Sequence, residues 1–231
     1  MSRPSLAIAV AQPQCLAYDV DTNVATHAAM VRTAAARVVI FPELSLTGYE
    51  LDATPVDPSD PRLAPLVSAC AATGTLALVG APVAGEYIAT LAVDGVGTRV
   101  AYRKMWLGDV EARRFRPGPA PVVLDVDGWR IGLAICKDTG IAEHAARTCT
   151  VGVDVYAASI VDHAAEAHVP DQRAARICTT HRIVVAVASF AGATGGGYAE
   201  TAGRSTIRAP DGSVLARAGT AAGEFVRTTL T

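Results

Sequence analysis

The sequence predicts an α/β protein of four layers, an αββα sandwich in which two sheets pack together and helices cover both outer faces. Three observations predict it. Short apolar runs alternate with helical patterns, hairpins with Asp-Gly turns interrupt the alternation, and the central runs are apolar at consecutive positions, as in strands buried on both faces. One domain over residues 1–231 is expected, because a chain of 231 residues, 51% of them hydrophobic, still fits around a single core.

The elements follow in order. "LAIAVAQ" reads as a strand, "DTNVATHAAMVRTAAA" as an alanine-rich helix capped by Asp21 or Thr22, and "VVIF" as the next strand, a βαβ beginning. Asp60 and Pro61 open a helix that Gly74 closes, and "TLALVG" is a buried strand. "EYIATLAVDGVGTRVAYRK" alternates as a hairpin turning at Asp94-Gly95, and a second hairpin, turning at Asp127-Gly128, delivers the strand that ends in Cys136. A helix near Ile141 to Thr150, the strand "VDVYAAS", a long helix from about Asp162 to His181 and the strand "IVVAVASF" come next. Two closing strands turn at Asp211-Gly212.

Bulk properties exclude several functions. A net charge of −2 without basic clusters gives no footprint for nucleic acid or an anionic membrane, so a small molecule is the expected partner. No apolar run approaches the roughly 18 residues of a membrane span, and Leu6 to Ala11 is too short an apolar run for a signal peptide; a cytoplasmic protein is expected. The five cysteines are odd in number and lack CxxC spacing, which argues against a disulfide framework or a zinc cluster. Of the 20 basic residues only Lys104 and Lys137 are lysines, so each is a candidate for a position that needs a compact ammonium.

Three strand ends carry chemistry. Pro42 stops one strand and leaves Glu43 at its C-terminal edge, where open α/β sheets gather their sites. A second ends in Lys104, followed by a loop with Glu111, and a third ends in Cys136. Taken singly, these read as a loop glutamate, a surface lysine and a core thiol. A carboxylate, an ammonium and a thiol at three strand ends form a nucleophilic constellation, since a free thiol needs a base or a positive field to attack at neutral pH.

At these residues the chain resembles the nitrilase superfamily of carbon–nitrogen hydrolases. "FPELSLTGYE" is similar to its glutamate motif, "YRK" to its lysine motif, "EARRFRPG" to its second-glutamate segment and "GLAICKD" to its cysteine motif; the likeness continues through Glu143, "GVDV" and "GRSTIRAPDGSVLA". The resemblance implies a Glu43-Lys104-Cys136 triad with Glu111 orienting Lys104, a Cys136 thioester formed from a small linear amide, and no metal or organic cofactor. A homodimer through the two helices that follow Cys136 is implied as well. A nitrilase, a carbamoyl-amide hydrolase or an acyltransferase with the same triad, and a non-catalytic binding subunit, stay open as alternatives.

Departures from the family pattern concern specificity. Trp106 stands where histidine is usual, Lys137 where an aromatic follows the cysteine, and Gly140 and Ala142 where arginine and proline are common. Lys137, Tyr49 and Trp106 are the expected substrate contacts, and Lys137 suggests a substrate with a carboxylate or other acceptor. "GATGGGY" lacks the Gly-Lys-Ser/Thr ending of a phosphate loop and reads as a flexible loop at the site mouth. His163, Glu166 and His168 lack the i, i+4 histidine pair of a helical zinc motif and read as solvated residues at a helix start.

Overall fold

A computed structural model describes residues 3–231. The strands are β1 (Leu6–Gln12), β2 (Val38–Ile40), β3 (Leu76–Val83), β4 (Tyr87–Val93), β5 (Thr98–Arg103), β6 (Val123–Val126), β7 (Trp129–Ile135), β8 (Val155–Ile160), β9 (Val184–Ser189), β10 (Thr206–Arg208), β11 (Val214–Arg217) and β12 (Glu224–Leu230). The helices are α1 (Val20–Ala34), α2 (Ala64–Thr73), α3 (Ala142–Cys149) and α4 (His168–His181). The two six-stranded sheets run β12-β1-β2-β3-β4-β5 and β11-β10-β9-β8-β7-β6. In each, three parallel strands are flanked by antiparallel ones.

Residue parity builds the layers, because successive side chains on a strand face opposite ways. Leu6, Ile8 and Val10 of β1 point into the core between the sheets, where they meet Ile131, Leu133 and Ile135 of β7 and Ala186 and Ala188 of β9. Ala9 and Ala11 face the other way, toward Val24 and Val31 of α1 and Leu66 of α2. On the second sheet Ala134, Tyr156, Ala158, Val185 and Val187 pack beneath Ala145 of α3 and Ala174, Ile177 and Cys178 of α4. Three apolar seams separate four layers, the αββα sandwich expected.

Several boundaries differ from the expectation. Helix α1 is capped by Asp19, whose carboxylate accepts the Thr22 N–H at 3.0 Å, not by Asp21 or Thr22. The first hairpin closes through a four-residue loop, Asp94 to Gly97, because Asp94 Oδ1 accepts both the Val96 and Gly97 N–H groups. The second turns at Asp127-Gly128 as expected, with φ of 54° and 82°, the left-handed pair of a two-residue turn.

The long helix expected from Asp162 begins only at His168, after a short 3-10 turn over Ala164–Glu166. Pro170 sets this start: lacking an N–H, it fits only the first helical turn. A third closing strand, β12, was not expected. It pairs antiparallel with β1 from Leu6↔Leu230 to Gln12↔Glu224, so the end of the chain joins the first sheet while β10 and β11 extend the second. Its largely half-exposed side chains leave little periodic signal to read.

Candidate active site

The ends of β2, β5 and β7 converge. Beyond β2 the Phe41 N–H still donates to Leu78 O, Pro42 ends the ladder, and Leu44 takes a left-handed φ of 52° that turns Glu43 inward. Gly80 of β3 makes room for this bend. A Cβ there would lie 2.5 Å from Pro42 O, 2.8 Å from Glu43 C and closer still to Leu44 N. Gly118 serves Lys104 in the same way: its N–H donates to Lys104 O at 2.7 Å, and a Cβ would stand 2.8 Å from Arg103 C.

Lys104 is 1% exposed and its ammonium donates to Glu43 Oε1 and to Glu111 Oε1, both at 2.7 Å. Glu111 Oε1 also accepts the Tyr49 hydroxyl at 2.6 Å, and its Oε2 accepts the Gly108 N–H at 2.6 Å. Glu43 is fully buried, and its second oxygen, Oε2, has no hydrogen-bond partner among the described residues. That oxygen is free to take a proton.

Electrostatics assign the charges. Burial pushes Glu43 up to about 8, against the pull of Lys104. Burial also pushes Glu111 upward, but Lys104, Tyr49 and the Gly108 N–H outweigh it, and the net shift is downward. Burial pushes Lys104 downward, but the neighbouring carboxylates Glu43 and Glu111 outweigh it, the net shift is upward, and the ammonium stays charged. The result is a lysinium between an ionised carboxylate and one poised near neutrality.

Cys136 stands at a left-handed φ of 42°, a strained conformation for a residue with a side chain, at the junction of β7 and the 3-10 turn Cys136–Gly140. Its thiol donates to Val161 O at 3.4 Å. Burial and the neighbouring Glu43 push its pKa well up while Lys104 pulls it down, so at rest it is a thiol that needs a base. The Lys137 N–H lies in the first turn of that short helix, where donors lack an intrahelical acceptor.

The remaining sequence-level candidates separate. Tyr49 belongs to the cluster through Glu111, and its ring meets Tyr198 of the "GATGGGY" loop edge-on at 5.3 Å; its N–H donates to Thr194 Oγ1. Trp106 packs edge-on against His144 at 5.5 Å. The Lys137 ammonium, on a side chain 43% exposed, donates to Leu107 O at 2.7 Å and lies 3.8 Å from Asp109, so it braces the loop between Lys104 and Glu111. His163 stacks on Tyr198 at 4.2 Å, while Glu166 and His168 are exposed.

Sequence reasoning missed the support beneath the cluster. Asp138, fully buried, accepts the Ile135 N–H, the Trp106 N–H and the Tyr102 hydroxyl at 2.7–2.9 Å, tying the segment that carries Cys136 to the segment that carries Lys104. His144 links Tyr156 (2.7 Å at Nδ1) to Tyr102 (3.0 Å at Nε2). With the Tyr102 proton committed to Asp138, the imidazole donates from Nε2 and accepts at Nδ1, and burial lowers its pKa, which keeps it neutral. Trp106 in place of the usual histidine was the available signal, and in the structure it packs against His144 of α3.

Comparison with known proteins agrees with this architecture. Residues 7–230 match the carbon-nitrogen hydrolase family. A hydrolase in the pqqF 5′ region of Pseudomonas protegens is 30% identical over 208 residues, 84% of this chain and 71% of that protein. Saccharomyces cerevisiae Nit3, a member of branch 10 of the nitrilase superfamily, superposes with a TM-score of 0.87 at 18% identity over 99% of this chain and 90% of Nit3. A mutant of the Nesterenkonia AN1 amidase does so at 0.87 with 21% identity, over 97% of this chain and 90% of the amidase.

Proposed function

Because the chain belongs to the carbon–nitrogen hydrolase family, we propose that it is an amidase-like thiol hydrolase that cleaves a small linear amide through a thioester on Cys136. Cys136 attacks the amide carbonyl as its proton passes to Glu43 Oε2. The oxyanion is held by the Lys104 ammonium and the Lys137 N–H. Glu43 then gives its proton to the departing nitrogen, the C–N bond breaks, and ammonia or an amine leaves behind an acyl-Cys136 thioester. A water molecule next loses a proton to Glu43 and adds to the thioester carbonyl. Collapse expels the Cys136 sulfur, which recovers its proton from Glu43, and the carboxylic acid departs.

One observation carries this reading. Lys104 bridges Glu43 and Glu111 at 2.7 Å each, while the far oxygen of Glu43 has no hydrogen-bond partner among the described residues. Glu111, held ionised, fixes Lys104 and leaves Glu43 to move protons. The reduced Cys136 that the reaction needs suits a cytoplasmic setting. A homodimer would bring the outer faces of α3 and α4 together across a two-fold axis, where the exposed Ala142 and Ala146 of α3 leave room for close approach.

Ammonia release over a panel of amides, nitriles and carbamoyl compounds, combined with intact-protein mass after rapid quenching, tests the proposal. The expected result is ammonia from small amides and an acyl mass adduct that disappears in Cys136→Ala while that variant remains folded. Turnover by Cys136→Ala would overturn it, and an adduct resolved by amines instead of water would make the protein an acyltransferase.

A further inference from the structure

We propose that Asp162, set beside Arg173, forms a subsite for the acyl portion of the substrate and selects amides that carry an amino group; the proposal rests on the amidase reading above. Asp162 directly follows Val161, whose carbonyl receives the Cys136 thiol at 3.4 Å, so it stands beyond the end of β8, the parallel neighbour of the strand that ends at the nucleophile. Its Oδ2 is buried and has no hydrogen-bond partner among the described residues. Asp162 is half-buried, and its unpartnered buried oxygen, beside the nucleophile, is available to a donor on a ligand.

The surroundings connect Asp162 to the catalytic cluster. His163, next in the chain, stacks on Tyr198 at 4.2 Å, Tyr198 meets Tyr49 at 5.3 Å, and Tyr49 donates to Glu111 at 2.6 Å. A chain of aromatic contacts therefore runs from His163, beside Asp162 in the sequence, to Glu111. Arg173 of α4 lays its guanidinium over Gly140, with Cζ and Nε 3.3 Å from where a Cβ would stand. A larger side chain at position 140 would displace it. Burial raises the Asp162 carboxyl to about 6, with Arg173, Lys104 and His163 drawing it down and Glu166 pushing it up, so it is mostly ionised at neutral pH.

An ionised, unpartnered acceptor in that place favours an ammonium on the acyl chain and repels a carboxylate. Lys137 had suggested the opposite charge from the sequence, but its ammonium is engaged with Leu107 O and Asp109. The subsite redirects the expected substrate class from anionic to amino-bearing amides.

The test compares amides of equal length: 3-aminopropanamide with butanamide, and 4-aminobutanamide with pentanamide. The amino member of at least one pair is expected to be favoured about tenfold or more in kcat/KM, mostly through KM, as for a charge-assisted hydrogen bond. In Asp162→Asn the ratio is expected to fall toward one. A wild-type ratio of one or less in both pairs, or a ratio that Asp162→Asn leaves unmoved, overturns the subsite. The wild-type comparison needs no variant, so a poorly folding Asp162→Asn does not remove the test. Calorimetric titration of the same amides into Cys136→Ala separates the two readings. Preferential binding of an amino member without wild-type turnover of either keeps the subsite and sinks the amidase reading, and equal binding within both pairs sinks the subsite whatever the turnover.

Discussion

Gly80→Ala places one methyl group against the backbone that aims Glu43. Its Cβ would lie 2.5 Å from Pro42 O and 2.8 Å from Glu43 C, whereas non-bonded heavy atoms settle at about 3.5 Å. Either β3 or the Pro42–Leu44 bend must yield by about 1 Å, and both are buried. A misplacement of about 1 Å costs on the order of 100-fold in rate, or about 2.7 kcal/mol of transition-state stabilisation. The loss should sit in kcat rather than KM, because Glu43 moves protons and does not hold the ground-state amide. Overpacking adds about 1–3 kcal/mol of destabilisation, read as a melting temperature lower by roughly 2–12 °C. Gly97→Ala is the matched control: nothing lies within 4 Å of its added Cβ, so kcat/KM and melting temperature should hold. The assays are amide turnover and thermal unfolding of both variants. A Gly80→Ala enzyme within about threefold of wild-type kcat/KM, with its melting temperature unchanged, would refute the claim that this close approach positions the base.

Glu43 acts as a base with its carboxyl raised to about 8, so kcat/KM should climb with pH through a midpoint near 8; a plateau from pH 6 upward would assign the proton transfer elsewhere. The same shift has a stability sign. The folded state binds this proton more tightly than the unfolded chain, so the Glu43 contribution is favourable at low pH and is lost as pH rises from about 4.5 to about 8. Glu43→Gln, inactive, should therefore gain in melting temperature relative to wild type across that interval, and a constant difference would contradict the assigned shift. Gly118→Ala should lower kcat as Gly80→Ala does, by displacing Lys104; wild-type kcat would show that the strand beside Arg103 relaxes freely. Light scattering at micromolar concentration should give a dimer, and monomer alone would count against pairing through α3 and α4.

The sequence by itself determined the layers and pointed to the groups proposed to react. Strand parity, Asp-Gly turns and apolar runs are local patterns, and Glu43, Lys104 and Cys136 each follow one as the first chemically distinctive residue after a strand. What joins those groups is not local. Asp138 and Tyr102 are 36 residues apart, Tyr49 and Glu111 are 62, and Glu43 and Lys104 are 61, so no window along the chain reveals that they bond. Lys137 marks the boundary between the two kinds of information. Its rarity drew attention to it, yet the direction of its ammonium, toward Leu107 O, depends on where a distant loop passes. Gly80 and Asp162 are the reverse case: neither is conspicuous in sequence, and each acquires meaning only from the atoms that folding brings within reach. Residue type fixes which chemistry is available, and tertiary contact decides which atoms it acts on, because hydrogen bonding, van der Waals exclusion and Coulomb forces depend on distance in space and not along the chain.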